Sequence, residues 1–440
     1  MTEVDSDDHN YEELWIDYGF SKNPYDYRPL RVASEARELF VGRSKEQEQF
    51  KMLTAGTEGG IIIIEGATGV GKTSFVNAML YDKWNPQHKK RKTSKKSYSY
   101  LPSFDIIQLK ENHEITEFML SVLSSCIFSL EKIHGSDVSN SDPDLKAGKE
   151  LIANTVRSGL GALNLSILGS GGGVEKRENV MQPASIPLPT IMNTMDKWFD
   201  RVVRKFGYES TLVPINNIDV LPEQSVIAFL NSARDILLLR NHVWWILIAG
   251  PGLFSTLETN ARRVSELVTG QPVILTPMSL EDVLKAVNTR IEKLRMNKTA
   301  QPPIPQGTIK LLYDASNGEI RYIFKRLTDL IYEFHTAFPS ERQIPEEIAS
   351  KSVRVLARQK INSRNLTEKE KQVLKQMAVE DNFRIRDYSK FGYNSPQALN
   401  RLISKFVRTS LLRRVEKNYH EVYYSTAGDV NLVFREKLTG

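Results

Sequence analysis

Residues 66–73 read GATGVGKT, and they follow a run of four isoleucines at 61–64. The apolar run predicts a buried strand, and the amphipathic stretch after the octet predicts a helix that begins near Lys72. Between them, a glycine-rich turn directs backbone N–H groups inward, and the helix adds the positive end of its dipole. The octet therefore predicts a phosphate-binding loop, with a nucleoside triphosphate as its ligand.

The side chains of the octet suit a triphosphate with its metal ion. Lys72 can reach the β- and γ-phosphate oxygens, and the hydroxyl of Thr73 can occupy one position on Mg²⁺, which prefers oxygen ligands. A glycine turn without a ligand is the alternative, and the flanking strand and helix make it the poorer interpretation. The predicted cofactor site in this segment comprises Gly66, Thr68, Gly69, Val70, Gly71, Lys72, Thr73 and Ser74.

Composition limits the class of protein. The chain has 440 residues, of which 40% are hydrophobic and 25% charged, as expected for two or three globular domains. Its single cysteine cannot build a disulfide framework or a cysteine-based zinc site, which indicates a cytoplasmic protein. The first twenty residues carry seven acidic side chains and no Lys or Arg, the reverse of a secretory signal. No apolar run approaches a membrane span, so we expect no membrane partner.

Net charge is divided unevenly along the chain. Residues 351–440 carry 19 Lys and Arg against 9 Asp and Glu, whereas residues 1–350 carry 40 against 44. The basic C-terminal part predicts a surface for a polyanion such as nucleic acid, although an ordinary solvated face explains the charge equally well. Residues 83–96 contain seven further basic side chains and are predicted to be a flexible loop, with contact to nucleic-acid phosphates as the alternative.

Strands alternate with helices over the first 276 residues, which predicts a parallel sheet covered on both faces. The expected strands are 61–65, 104–109, 210–215, 242–249 and 273–275. Residues 136–189 break this pattern, because several glycines and an alternating stretch at 162–168 suggest a glycine-hinged hairpin or mobile insertion. After Pro277 helices alone follow to about residue 361, which predicts a helical lid.

The last 75 residues have a different pattern. Thr367 opens a capping-box helix, a short helix follows at 386–391, and Ser395-Pro396 starts a third helix. Apolar stretches at 411–415 and 421–425 flank a turn and predict a hairpin, so the whole predicts a winged helix. One face of its third helix suits the phosphates and base edges of double-stranded DNA, through Gln397, Asn400, Arg401, Lys405 and Arg408. Winged helices also dock proteins, which is the alternative.

The order of these parts resembles that of AAA+ ATPases of the replication-initiator type, the origin-recognition and cell-division-control branch. It is similar too to the related signal-transduction ATPases of prokaryotic defence and mobile-element operons. The resemblance covers roughly residues 23–436 and includes NPY at 23–25, FVGR at 40–43 and GEIR at 318–321. It implies an α/β P-loop NTPase (AAA+) core with a parallel sheet, a helical lid and a C-terminal winged helix.

The same resemblance implies domain bounds and residue roles. After an acidic, flexible N-terminus at 1–22, it places the core at 23–276 with an insertion at about 136–189, the lid at 277–362 and the winged helix at 363–440. It implies ATP as the nucleotide, with Gly42 and Arg43 at the adenine pocket and Arg321 on the γ-phosphate. Arg262 or Arg263 would complete the site of a neighbouring copy, which implies a homo-oligomer.

One departure from the family concerns catalysis. Family members end the third core strand with an acidic pair, whereas residues 212–219 read LVPINNID. Asn216 and Asn217 can orient a water, but they bring no negative charge to the metal and cannot accept a proton from the attacking water. Asp219 keeps an acid, two or three positions late. We therefore expect tight ATP binding with slow or absent hydrolysis.

The favoured function is an ATP-controlled, DNA-associated switch or assembly subunit that acts with other copies or with a partner effector protein. Anti-phage defence or a mobile element is the expected context. Two alternatives are a working ATPase that remodels DNA or loads a partner, and an ATP-gated scaffold that docks proteins and has no role on DNA.

Overall fold

A computed structural model of the chain describes residues 13–84, 100–157, 186–218, 220–418 and 421–435. Some predictions lie outside these ranges. They are the loose segment at 1–12, the basic loop at 85–96, the glycine-hinged hairpin within 158–185, the acid at Asp219 and the hairpin turn at 419–420.

A parallel sheet forms the centre of the N-terminal part. Its strands are β1 (Gly60–Gly66), β2 (Leu101–Pro102), β3 (Ile107–Gln108), β4 (Thr211–Asn216), β5 (Val243–Ala249) and β6 (Val273–Leu275). Their order is β2-β4-β5-β1-β6, and β3 also pairs with β4. All these pairings are parallel, so the carboxyl ends of the strands meet at one edge.

The prediction of one continuous second strand at 104–109 is wrong, because two short strands, β2 and β3, take its place. The chain bends between them, where the Ser103 hydroxyl donates to the Asp105 carbonyl and the Phe104 N–H donates to the Ser129 hydroxyl. These local hydrogen bonds compete with the strand ladder.

Helices cover both faces of the sheet. On β1, Ile62 and Ile64 pack with Phe75 and Trp244 on one face, whereas Ile61 and Ile63 pack on the other. Alternate residues of a strand point to opposite faces, so burial of both sets explains the unbroken isoleucine run. The helices are α1 (residues 13–17), α2 (Ser34–Glu38), α3 (Ser44–Leu53), α4 (Lys72–Trp84), α5 (Ile115–His134), α6 (Pro143–Arg157), α7 (Leu188–Phe206), α8 (Glu223–Ala233), α9 (Leu253–Asn260) and α10 (Arg262–Ser265).

The expectation of a hinged hairpin fails for the first half of the insertion. Residues 143–157 form α6, which buries Leu145 and Ile152 in the core. A side chain at Gly148 would meet the Trp198 ring, with Cδ1 2.7 Å from its Cβ. This glycine therefore serves close packing of α6 on α7 rather than a hinge.

The expectation of a flexible N-terminus is wrong for residues 13–22. Trp15, Tyr18 and Phe20 are at most 4% exposed and pack into the lid. The Ser21 N–H donates to the Leu294 carbonyl at 2.9 Å. Burial of these aromatic rings outweighs the acidic composition that suggested a loose segment.

The C-terminal half contains the predicted lid and winged helix. The lid consists of α11 (Leu280–Leu294), α12 (Gln306–Ser316), α13 (Ile320–Ala337) and α14 (Glu346–Asn362). The winged helix consists of α15 (Glu368–Val379), a 3₁₀ segment (Ile385–Phe391), α16 (Pro396–Arg408), antiparallel strands β7 (Leu412–Asn418) and β8 (Glu421–Thr426), and α17 (Gly428–Phe434). The capping box at Thr367 forms in full. Within the described ranges, no helix is both long and apolar enough to cross a membrane.

Candidate nucleotide-binding site

The glycine-rich loop lies at the carboxyl end of β1. Gly69 and Gly71 have φ of +87° and +98°, a backbone region that favours glycine and turns N–H groups toward one side. Lys72 is 9% exposed, and its Nζ donates to the carbonyls of Gly66 at 2.7 Å and Ala67 at 3.2 Å. The ammonium is thereby fixed at the loop.

The loop is open on the side of Gly71. A Cβ built on Gly71 would have as its nearest atom Ile320 Cγ2, at 3.9 Å. The loop opens onto a cleft between core and lid that is partly open to solvent. Apolar walls suited to a flat base come from Pro29, Leu30, Val41, Met278, Ala286 and Phe324.

Thr73 and Ser74 both line the cleft, but their roles differ. The Ser74 hydroxyl accepts the Leu30 N–H at 3.1 Å, so it ties the chain before α2 to the start of α4. Thr73 stands at the second position of α4 and is the residue able to hold Mg²⁺. Thr68 is exposed on the loop, and Val70 is buried beneath it.

Arg43 braces the loop from the side. Its backbone is left-handed, with φ of +64°, and its guanidinium donates to the Val70 carbonyl and to Glu46, both at 3.2 Å. Burial lowers the pKa of Arg43 from its usual value, although the guanidinium stays charged at neutral pH. Gly42 lies against Asp282 of α11, with 3.3 Å between a Cβ built there and the Asp282 carboxyl. This pair of residues therefore connects the loop to the lid.

Lid residues close the cleft. Arg321 is exposed and lines the cleft, and its N–H donates to the Gly69 carbonyl at 3.2 Å. Glu319 is nearly buried and approaches Gly69 closely. Burial raises the pKa of Glu319, and the positive charge of Arg413 acts against this rise.

Arg290 is a cleft residue that no motif predicted. It is 7% exposed, donates to the Asp26 carbonyl at 2.6 Å, and lies 4.3 Å from the centre of the Phe324 ring. Burial lowers its pKa to about 10. A lone arginine among Val283, Val287 and Ile291 on the apolar face of α11 was the available signal.

The predicted catalytic asparagines lie at the same edge as the loop. Asn216 ends β4, which only β5 separates from β1. Asn217 has φ of +66° and its carbonyl accepts the Val220 N–H at 3.2 Å, which turns the chain away from the sheet. Asparagine tolerates this left-handed backbone better than most residues.

A carboxylate that no motif predicted also occupies this edge. Glu65 is 6% exposed, and its two oxygens accept the N–H groups of Gly252 at 2.8 Å and Phe254 at 2.7 Å. These contacts satisfy backbone donors at the start of α9. Glu65 therefore caps the start of α9.

Arg262 and Arg263 lie on the short helix α10 and face solvent, with 84% and 72% of their side chains exposed. Arg262 pairs with Glu266 at 3.3 Å, and Arg263 pairs with Asp235 at 3.7 Å. Such exposed pairs are weak and can exchange partners.

The predicted DNA-facing side of α16 is largely open. Leu399, Leu402, Ile403 and Phe406 are buried, as the periodicity predicts. Lys405 differs from the other residues assigned to the opposite side, because its Nζ lies 2.6 Å from Glu370 of α15. The exposed members are Gln397, Asn400, Arg401 and Arg408.

No protein-family model and no curated protein matches the chain. Among solved structures, it is similar to the ORC1 protein of Aeropyrum pernix in complex with DNA, at 14% identity and a TM-score of 0.47, over 95% of this chain and 97% of that one. It is similar to the ORC2 protein of Aeropyrum pernix in its ADP form, at 12% identity and a TM-score of 0.47, over 95% and 98%. CDC6P from Pyrobaculum aerophilum is similar at 10% identity and a TM-score of 0.41, over 94% and 97%. These structure neighbours belong to the origin-recognition and Cdc6 group, the branch that the order of motifs resembles. At such low identity and TM-score, the similarity does not identify what the chain itself binds.

Proposed function

We propose that the chain is an ATP-binding, DNA-associated AAA+ switch or assembly subunit whose hydrolysis of ATP is weak or absent. The observation that carries the proposal is the glycine-rich loop, which opens onto a cleft closed by the lid. The loop carries Lys72 and two left-handed glycines, as a phosphate nest requires.

The nucleotide would lie with its phosphates at the loop and its base between the apolar walls of the cleft. Lys72 and the loop N–H groups would hold the phosphates, Arg321 would approach from the lid, and Thr73 would provide an oxygen for Mg²⁺. Mg²⁺ would neutralise charge on the phosphate oxygens. Since the cleft is shared by core and lid, the nucleotide would stabilise one relative position of these two parts.

Weak hydrolysis follows from the chemistry at the end of β4. By the family resemblance, Asn216 and Asn217 would replace an acidic pair that polarises the attacking water, and an amide cannot take its proton. Glu65 lies at the same edge, yet both its oxygens accept backbone N–H groups. Asp219 is the acid that could supply activity in the rival proposal of a DNA remodeller or loader.

The proposed DNA contact uses the exposed side of α16. Arg401 and Arg408 offer exposed cations there, in a C-terminal segment (residues 351–440) with a net charge of +10. Arg262 or Arg263 would reach the nucleotide of a neighbouring copy, which makes oligomerisation depend on ATP. A defence or mobile-element role with an effector partner is proposed from the family resemblance and the insertion at 136–189, and a cytoplasmic location from the single cysteine.

The test of hydrolysis is steady-state phosphate release by the full chain with saturating Mg-ATP, with and without double-stranded DNA. We expect binding of ATP with little release, and loss of binding in Lys72→Ala. Restoring the acids in an Asn216→Asp, Asn217→Glu variant should raise turnover by a factor of roughly ten or more. Fast turnover that Lys72→Ala abolishes and that Asn216→Ala and Asn217→Ala leave intact would establish the rival ATPase.

The test of DNA binding is the salt dependence of affinity for duplex DNA. Arg401→Ala with Arg408→Ala should weaken binding and lower the slope of log K against log salt by about 2, since each lost phosphate contact removes about one unit. Lys375→Ala, an exposed lysine on α15, is the matched control and should leave the slope unchanged. Absence of DNA binding by the unaltered chain would favour the protein-docking scaffold.

A further inference from the structure

An ion pair joins the winged helix to Glu319, a lid residue that lies against the phosphate-binding loop. Arg413 of β7 lies 3.1 Å from Glu319, measured from Nη1 to Oε2, and the two side chains are only 11% and 17% exposed. The Nε of Arg413 also donates to the Ser425 hydroxyl of β8 at 3.0 Å. The guanidinium is thereby held by both strands of the hairpin.

The other oxygen of Glu319 lies against the loop. A Cβ built on Gly69 would overlap Glu319 Oε1, so this glycine permits the close approach. Two residues later, the Arg321 N–H donates to the Gly69 carbonyl at 3.2 Å. A continuous chain of contacts therefore runs from β8 and β7 through Arg413 and Glu319 to the loop.

The charges along this chain of contacts have opposite effects on an anion. The loop attracts phosphate, whereas a nearly buried carboxylate beside it repels phosphate, and low solvent access leaves that repulsion poorly screened. Arg413 supplies the largest compensating positive charge, and Arg321 and Lys360 contribute less. The Arg413 side chain belongs to the winged helix, 94 positions from Glu319 in sequence.

We propose that Arg413 is a positioning residue of the nucleotide site, which neutralises Glu319 and holds its carboxylate against Gly69. Affinity for the triphosphate then depends on the winged helix being docked on the lid. This inference rests on the proposed nucleotide-binding function. A ligand of the winged helix that draws the hairpin away from Glu319 therefore lowers the affinity for nucleotide. By thermodynamic linkage, bound nucleotide lowers the affinity for that ligand by the same factor.

A second set of contacts makes the proposal testable. Asp429 of α17 is 1% exposed and bonds Arg326 and Lys360 of the lid, each at 2.6 Å. The Tyr322 hydroxyl donates to the same carboxylate at 2.9 Å. These contacts hold the winged helix on the lid independently of Arg413, so replacing Arg413 changes the charge beside the loop without detaching the domain.

The experiment is calorimetric titration of the full chain with Mg-ATP. Arg413→Gln should weaken binding by a factor of roughly ten or more, because it removes the ion-pair partner that compensates most of the Glu319 charge. Arg414→Gln, at an exposed neighbouring position of β7, removes the same charge and should have no effect. Glu319→Gln should bind at least as tightly as the unaltered chain, and Arg413→Gln combined with Glu319→Gln should return to within about twofold of Glu319→Gln alone.

Equal affinities for Arg413→Gln and Arg414→Gln would overturn the proposal. So would a double variant as weak as Arg413→Gln, because loss of a merely structural contact is not repaired by removing its partner. If Arg413→Gln does not fold, the Mg-ATP affinity of Arg413→Lys is measured in its place. This variant keeps the positive charge and should bind within a few-fold of the unaltered chain. No binding by the unaltered chain would refute the proposed function itself, a separate result.

Discussion

At the scale of single residues, Gly69 meets two constraints at once. Its φ of +87° is strained for any residue with a side chain, and the Glu319 carboxylate occupies the space that a Cβ would need. Its carbonyl also accepts the N–H of Arg321. One glycine therefore sets both the shape of the loop and its contact with the lid.

Gly69→Ala should weaken Mg-ATP binding by a factor of roughly ten or more, because the added methyl group displaces Glu319 and the loop together. The backbone strain of a side chain at this φ should in addition lower the free energy of unfolding by about 1 to 2 kcal/mol. Gly135, with φ of +97° and no atom within 4 Å of a built Cβ, is the matched control. Gly135→Ala should show a similar loss of stability with unchanged nucleotide affinity. Calorimetry and urea denaturation measure the two effects, and equal nucleotide affinities for both variants would refute this role for Gly69.

Individual site residues differ in how far sequence predicts them. Lys72 and Thr73 are predictable because the loop needs those residue types at fixed spacing beside two glycines. Arg413 and Glu319 are not, because they are 94 positions apart and only the packing of two domains brings them together. Arg290 is likewise revealed only by Phe324 and Asp26, which belong to other elements.

At the scale of elements, α15 and α16 are joined by an ion pair at the edge of the proposed DNA surface. Lys405 Nζ lies 2.6 Å from Glu370 Oε1, and the other Glu370 oxygen accepts the Thr367 N–H in the capping box. The hydrogen bond from Lys405 holds the pKa of Glu370 below its ordinary value of 4.5. The ionised form of Glu370 therefore favours the folded winged helix.

The sign of the resulting pH dependence follows from the lowered pKa. A carboxyl whose pKa is lower in the folded than in the unfolded state stabilises the fold at pH values above its unfolded pKa. This stabilisation is lost as the pH falls through the folded pKa. Glu370→Gln keeps the capping box but removes the charge, and should cost about 0.5 kcal/mol at pH 7 and progressively less below pH 4.5. Hydrogen exchange of α15 and α16 amides in the full chain measures this local stability. Glu368→Gln, at an 84% exposed position, is the control, and an equal effect from it would contradict the account.

Among the elements, strong periodicity and capping signals were reliable guides. The apolar stripe of α16 and the capping box of α15 appear where the spacing places them. The prediction of a hinged hairpin failed over α6, where Gly148 serves packing on Trp198. No prediction covered α17, whose buried residues include the polar Asp429 and Asn431 in place of a simple apolar stripe.

At the scale of the whole molecule, the lid and the winged helix are fastened by polar contacts in a buried interface. Asp429 bonds Tyr322, Arg326 and Lys360, and the Asn431 side chain donates to the Ala315 carbonyl at 2.7 Å. Arg326 is itself only 7% exposed, and its charge is compensated by Asp429 at 2.6 Å and by Asp329 of its own helix at 3.0 Å. These two parts should therefore move together when a nucleotide changes the position of the lid.

Asp429→Asn should lower stability by about 2 kcal/mol or more, because it removes the buried carboxylate that pairs with Arg326 and Lys360 and leaves Arg326 with Asp329 alone. Asp381→Asn is the matched control, since Asp381 is 93% exposed and lies 3.5 Å from Arg435, and it should cost less than about 0.5 kcal/mol. Chemical denaturation of the full chain gives both values. Similar small losses for the two variants would show that the interface does not depend on Asp429.

The central claim, that the cleft holds ATP and does not consume it, is tested most directly by identifying the nucleotide retained by the purified full chain. After incubation with Mg-ATP and removal of free nucleotide, the protein should release ATP when denatured, in close to one equivalent per chain, and Lys72→Ala should release none. Recovery of ADP in its place, or of no nucleotide from the unaltered chain, would contradict the account.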